Sequence, residues 1–379
     1  MNIKKFFSSR KEHKKEKVIK NFFKTSNPKK ALLSYIKDVF ENNNNINQSH
    51  TNRLTSYLIA ETISNLGYNV DIINWQDSIE NEFYEYDFII GLGPSLEHVL
   101  TFRKDKLPKV IWFGTGCNPL FSNRITLQRT TDFYKKATQV LLQSSRYIKE
   151  DWPLQHEIAD WIILHGSTFA KSTYRDYNID TIHAPVFINH TVNREKNDWN
   201  SGKANYLWFG NGGLIHKGLD LTIDAFKNLS HLNLHICGNI EQESDFYEYY
   251  REDLTNRKNI IYHGFVDTQS EEFKNILKTC AFAVFPSASE GNSPSVITCM
   301  ANGGLIPIVS KNADVDIKDY GIEIESLDEE SIIKAINASQ EISTAELENR
   351  AERIITDCNL YHSFDYFKKD LQIKLLNIL

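Results

Sequence analysis

The stretch Leu207-Trp-Phe-Gly-Asn-Gly-Gly-Leu-Ile-His-Lys-Gly-Leu219 reads as an apolar strand running into a glycine-rich turn and then into a helix. Such a turn leaves backbone N–H groups unpaired at a helix start, and those groups suit a bound phosphate. A second stretch, Phe285-Pro-Ser-Ala-Ser-Glu-Gly-Asn-Ser-Pro-Ser-Val-Ile-Thr298, repeats the pattern. Two turns of this kind in one sheet could hold a diphosphate between them.

Working outward from these stretches, strand and helix patterns alternate. Apolar runs at 232–237, 260–263, 281–285 and 305–309 surround them, several ending in glycine. An earlier series reads as strands at 31–36, 68–73, 86–90, 109–113 and 160–165. Helices are expected from about residue 51 to Gly67, and over 127–143, 219–229 and 361–379. Alternation of this kind predicts parallel, doubly wound α/β sheets, which bind ligands beyond the carboxyl ends of their strands. At 379 residues the chain is too long for one ordinary core. The polar, broken stretch 185–203 marks the boundary. The division expected is a basic arm over 1–29, a first Rossmann-like unit over 30–198 completed by a helix over 361–379, and a second over 199–360.

Composition narrows the class. A hydrophobic content of 41% with 24% charged residues is that of a soluble globular protein. No run approaches the ~20 apolar residues that span a bilayer, and no secretory leader is expected. The five cysteines form no C-x-x-C pair, which fits packing residues in a reducing cytosol. Residues 1–30 hold eleven Lys/Arg against Glu12 and Glu16, on a chain whose net charge is −6. Phe6, Phe7, Val18, Ile19, Phe22 and Phe23 interleave with those lysines. The arm is therefore expected either as a helix on anionic lipid or as a solvated tail. Nucleic acid is not an expected partner, because the body is acidic and shows no recognition motif.

The later stretch carries the clearer chemistry. Ser293 suits an N-cap and Pro294 the first helical position. Glu290 then lies just before the helix, where a carboxylate can accept hydroxyl hydrogen bonds from a sugar. Thr298 is expected about one turn further in, on the same ligand face. In the earlier stretch, Lys217 beside Gly212 and Gly213 suits a phosphate clamp. The order is not that of a P-loop. His50, His165, His183 and His216 are scattered and read as packed residues.

Together these motifs resemble a known family. F-G-x-G-G-x-x-H-K-G-L-D-L-x-I-x-A-F (209–226), a strand ending in Gly238, H-G-F-V (263–266) and P-S-x-S-E-G-x-S-P-S (286–295) resemble the donor domain of retaining glycosyltransferases of family 4. The resemblance implies the GT-B fold, two Rossmann-like domains facing across a cleft. It further implies that Lys217 meets the donor's phosphates, with Gly212 and Gly213 beside it. Glu290 would contact the transferred sugar, and Gly291, Asn292 and Ser293 the sugar and distal phosphate. The backbone of Phe265 and Val266 would meet the nucleobase. Thr115, Gly116 and Asn118 occupy the comparable acceptor-side turn.

There are three departures. Thr298 stands where the family has a second glutamate, Asn211-Gly-Gly213 where it has an arginine, and the asparagine run 42–45 where it has a glycine-rich acceptor loop. The implied activity is metal-independent, retaining transfer of a sugar from a UDP- or GDP-linked donor to a glycan or lipid-linked acceptor. The donor is a co-substrate, and no cofactor is expected. The setting implied is bacterial surface polysaccharide synthesis, in the cytoplasm or on the inner face of the membrane. The rival readings are a non-catalytic sugar-nucleotide or glycan-binding protein and a sugar-nucleotide epimerase.

Overall fold

A computed structural model describes residues 17–41, 51–79, 81–149, 152–174, 178–189, 192, 194 and 196–379. The apolar runs 31–33, 88–90, 110–113 and 162–164 are almost wholly buried. A strand achieves that only when both faces of its sheet are covered. Among the described residues the chain forms two such sheets. The first uses β1 (Val18–Ile19), β2 (Lys29–Tyr35), β3 (Tyr68–Asn74), β4 (Phe88–Gly91), β5 (Lys109–Gly114), β6 (Trp161–His165) and β7 (Ile179–Ile182). The second uses β8 (Asn205–Phe209), β9 (Asn233–Cys237), β10 (Ile260–Gly264), β11 (Phe282–Phe285), β12 (Ile306–Ser310) and β13 (Ile322–Ile324). Their orders are β1-β3-β2-β4-β5-β6-β7 and β10-β9-β8-β11-β12-β13. Every pairing is parallel except that of β1 with β3. This is the doubly wound α/β pair that the sequence predicts.

Three differences have physical causes. Residues 17–29 form neither a lipid-bound helix nor a solvated tail. Val18 and Ile19 add β1 as an antiparallel edge, and Phe22 packs edge-on against Phe23 and Phe40. Lys20 pairs with Asp71, whose side chain is buried. The apolar pairs of the arm thus find a protein surface to cover. Residues 1–16 of the arm, the asparagine run 42–45 and His50 lie outside the described residues.

The helix expected over 127–143 is Pro119–Ala137. Asn118 accepts the Leu120 amide at 2.9 Å and Pro119 follows it, a start signal that outweighs the later periodicity. Thr138 ends the helix in the left-handed region at φ 54°. The third difference concerns β7 and β13, which are too short for their alternation to show.

The final helix, Phe364–Ile378, returns to the first sheet and buries Phe367, Leu371, Leu375 and Ile378 in its core. The Pro119–Ala137 helix does the opposite. Ser122, Thr126, Arg129 and Phe133 share one face by their spacing, and that face meets the second sheet's unit. Ser122 Oγ lies 2.6 Å from Ser289 Oγ, Thr126 Oγ1 lies 2.7 Å from His216 Nδ1, and Phe133 joins the second core.

Four histidines are buried in the neutral form. Burial pulls His165 to about 3, and His216, His235 and His362 to about 4. Between about pH 6.5 and pH 4 the unfolded chain therefore binds protons that the native chain refuses. Stability rises with pH through that window and is lost as pH falls. Each such histidine removes on the order of 2 kcal/mol by pH 5. Urea midpoints measured from pH 7.5 to pH 5 are expected to fall steadily. A flat profile contradicts the burial of neutral imidazoles.

Candidate functional site

The second sheet's order decides where its site lies. β8 has β9 on one side and β11 on the other, so the winding direction reverses there. Loops leaving adjacent strands at such a point diverge and open a crevice. The loops after β8 and β11 are the two stretches singled out above. They touch, since the Ala288 amide donates to the His216 carbonyl at 2.8 Å. Gly218, at φ 69°, passes so near Pro286 that a β-carbon would lie 2.4 Å from its carbonyl oxygen.

Lys217 and Glu290 come together here. Burial pulls the Lys217 ammonium below its ordinary value while the nearby Glu290 charge pulls it up, and its Nζ donates to the Asn211 carbonyl at 2.7 Å. Burial alone would raise the Glu290 carboxyl. Lys217 and Arg146 together hold it below the usual carboxylate range, helped by the Ser287 hydroxyl at 3.1 Å. Glu290 is thus ionised at neutral pH. His216 is locked as a neutral ring, its Nε2–H donating to the Ser289 carbonyl at 2.8 Å and its Nδ1 accepting from Thr126.

Sequence reasoning missed Arg146. Its side chain lies against Gly213, where a β-carbon would sit 3.0 Å from Arg146 Cβ, and its guanidinium is 3.6 Å from Glu290 Oε2. A cation from the first half of the chain therefore reaches the turn whose own arginine is missing. No local signal marks it, because it sits in an irregular segment brought across only by tertiary packing.

Several expected roles need correction. The turn amides are not bare: Glu243 accepts from the amides of Gly213 and Leu214, the latter at 3.0 Å. Glu243 follows β9 at the same sheet edge, so a carboxylate already satisfies the orphaned donors. The Asn292 amide donates to Asp314 Oδ2 at 3.2 Å, and its side chain bonds the Ala184 amide and the Asp314 carbonyl. Ser293 stands at the N-cap of the Pro294–Gly303 helix, yet its hydroxyl donates to the Ala313 carbonyl at 2.7 Å instead of capping. Thr298 turns its hydroxyl back onto the Pro294 carbonyl at 2.7 Å. Phe265 is exposed and Val266 buried. Asn118 is spent as a helix cap, whereas Thr115 and Gly116 line the cavity described next.

That cavity, about 230 Å³, lies between the two sheet units. Glu290, Arg146, His216 and Ser289 line it on one side, and Tyr35, Trp75, Leu92 and Trp112 on the other. The units close on each other at its edge. Asp314 accepts from the amides of Ser167 and Ala170 at 2.8 and 3.1 Å, capping the Thr168–Ser172 helix across the interface. Burial nonetheless raises the Asp314 carboxyl.

Residues 190–353 match the family model described as glycosyl transferases group 1. Most of the chain superposes on solved structures of one architecture. HepE of Anabaena, in complex with UDP and glucose, matches with a TM-score of 0.56 at 13% identity, covering 92% of this chain and 99% of that one. The chain has the GT-B fold. Sucrose-phosphate synthase of Thermosynechococcus elongatus gives a TM-score of 0.61 at 13% identity, with 92% and 98% covered. The lipopolysaccharide outer core galactosyltransferase WaaB, in apo form, gives 0.53 at 13% identity, with 93% and 100% covered. No curated protein sequence matches significantly. Among the described residues of this GT-B chain, no helix is long and apolar enough to cross a membrane.

The closed GT-B cleft yields a steric prediction. A β-carbon at Gly291 would lie 2.5 Å from Gly116 Cα and 2.5 Å from the His165 carbonyl oxygen, whereas one at Gly116 meets nothing nearer than 3.1 Å. Gly291→Ala is expected to wedge the units apart and Gly116→Ala to be far milder. Small-angle scattering checks this, since only the first variant should increase the radius of gyration.

Proposed function

We propose that the chain is a retaining glycosyltransferase of family 4 that moves a sugar from a nucleotide diphosphate donor to a hydroxyl acceptor. The observation that carries the reading is the grouping of Lys217, Arg146 and Glu290 at the switch point of the second sheet, with Arg146 and Glu290 lining the interdomain cavity. Two cations beside one ionised carboxylate suit a diphosphate with a sugar attached. The cations oppose charge building on the leaving diphosphate, and the carboxylate accepts sugar hydroxyls. A phosphate oxygen of the donor itself takes the acceptor proton on the same sugar face. No protein base is then required, which agrees with His216 being held neutral and doubly bonded. Lys217 and Arg146 supply the positive charge, so the reading needs no metal.

HepE in complex with UDP and glucose supports a uridine donor by analogy of fold. The galactosyltransferase WaaB supports a surface-glycan setting in the same limited sense. A membrane role for the basic arm rests on residues 1–16, since Val18, Ile19, Phe22 and Phe23 are packed against the first core.

A melting-temperature screen against UDP, GDP and their sugars tests the donor, because a ligand bound only by the folded form raises the midpoint. Donor turnover should then collapse in Glu290→Gln. The reading fails if no nucleotide sugar shifts melting and none is consumed.

A further inference from the structure

The Pro119–Ala137 helix is inside-out. Its inward residues Ser122, Thr126, Arg129 and Thr130 are polar, and each is occupied: Ser122 with Ser289, Thr126 with His216, Arg129 with Asp220 and Thr130 with Ser145 at 2.8 Å. Its outward residues include Leu120, Leu127 and Tyr134, which are 60%, 58% and 50% exposed. An ordinary surface helix has the reverse pattern, apolar inward and polar outward. Single exposed leucines are common and mean little. These three stand seven residues apart, so they follow nearly one line along the helix, about 10 Å from one to the next. Val140 and Leu142, just past the helix end, are exposed as well. A contiguous apolar strip of this kind marks an interaction surface.

We propose that the strip is covered by the same strip of a second copy of this chain, the two helices running antiparallel about a two-fold axis beside Leu127 and Gln128. Such an assembly is independent of the transfer reaction proposed above. The strip is symmetric about its centre. With the axis there, Leu127 meets the partner's Leu127, and Leu120 meets the partner's Tyr134. A two-fold pairing requires self-complementarity of this kind.

The strip's flank carries opposite charges in matching places. Arg124 lies four residues before Gln128, and Asp132 lies four after it. Among the described residues Arg124 makes no ion pair, its guanidinium standing 5.8 Å from the Phe121 ring. Asp132 is held only within its own helix, by Gln128 and Lys135, and its side chain is still 43% exposed. The same axis brings Arg124 toward the partner's Asp132, which fixes the register of the pair. A bilayer suits the strip less well, because an interfacial helix surrounds its apolar face with cations. Here an aspartate stands on the flank, and Lys136 is turned away to Asp224 and Glu329 at 2.7 and 3.0 Å. Pro119 and Ser122 of this helix line the interdomain cavity, so pairing holds one wall of each site in place.

Light scattering after size exclusion, on the full chain at tens of micromolar, should give the mass of two chains. Leu127→Asp should return a monomer, with association weakened at least about a hundred-fold, because two like charges then face each other across the axis. Its circular dichroism should match the parent's, since Leu127 points outward. Ile373→Asp, at a residue of the final helix that is also exposed, should remain a dimer. The five native cysteines are buried, so an introduced thiol reports alone. Leu127→Cys should cross-link to itself under mild oxidation, because the axis sets that position against its own copy. Leu120→Cys should do so at least about ten-fold more slowly, yet should cross-link readily when mixed with Tyr134→Cys. A monomer in the parent protein, a dimer that survives Leu127→Asp, or self-cross-linking of Leu120→Cys as fast as Leu127→Cys overturns the proposal. A monomer that floats with phosphatidylglycerol vesicles only while Leu127 is intact also overturns it, and gives the strip to a bilayer.

Discussion

Arg146→Ala is expected to lower donor turnover by about a hundred-fold or more, the range for losing one preorganised charge-stabilising group. The argument is geometric. The turn after β8 carries Asn211, Gly212 and Gly213, so it has no cationic side chain of its own before Lys217. Arg146 fills that gap by lying against Gly213 and reaching within 3.6 Å of Glu290. Lys217→Ala should cost at least as much, since Lys217 sits deeper and interacts with the same carboxylate. Arg146→Ala should not melt much earlier. The arginine side chain is 52% exposed, and such a pair contributes little to stability. Arg146→Lys should restore only part of the rate, because an ammonium lacks the planar fork that meets a phosphate with two donors. Steady-state kinetics alongside melting curves decide it. Turnover within two-fold of the parent in Arg146→Ala removes that residue from the site.

Asp220→Ala should destabilise the folded chain by about 3–5 kcal/mol, the penalty for leaving a buried charge without its partner. Asp220 and Arg129 are 2% and 3% exposed, and a single guanidinium nitrogen lies 2.6 and 2.9 Å from the two carboxylate oxygens. Burial raises the Asp220 carboxyl, and Arg129 is what opposes the shift. The pair bridges the Pro119–Ala137 helix and the helix beginning at Leu219, so it latches the two units as well as filling space. Replacing both residues with apolar ones, as Arg129→Met with Asp220→Leu, should recover most of the loss, because no isolated charge remains. Denaturant titration of the two single variants and the double variant forms a cycle. A double variant as unstable as the sum of the singles shows that the two positions do not interact.

Much of the scaffold was legible beforehand. Runs such as 88–90 and 306–309 are continuous in apolar residues because both faces of their sheets are covered, and that is visible without coordinates. The two glycine-containing turns were legible for a related reason: Gly218, at φ 69° and pressed on Pro286, tolerates almost no other residue. The start of the Pro119–Ala137 helix is also written locally, in Asn118-Pro119, which overrides the periodicity further on. β1 was hidden because Val18 and Ile19 find their partners only in β3, at Ile73 and Ile72.

The sequence by itself determined the strand-and-helix alternation, the pair of glycine-containing turns and the placing of Lys217 and Glu290 in them. These depend on neighbours within a few residues, where hydrophobic period, capping and glycine conformation act. Which groups complete the site was decided by the tertiary structure alone. Arg146 arrives across the cleft, Glu243 occupies the amides that looked vacant, and Asp314 binds the opposite unit. Charges and hydrogen bonds act over a few ångströms of space, whatever the separation along the chain, and only the folded packing brings these residues within that reach.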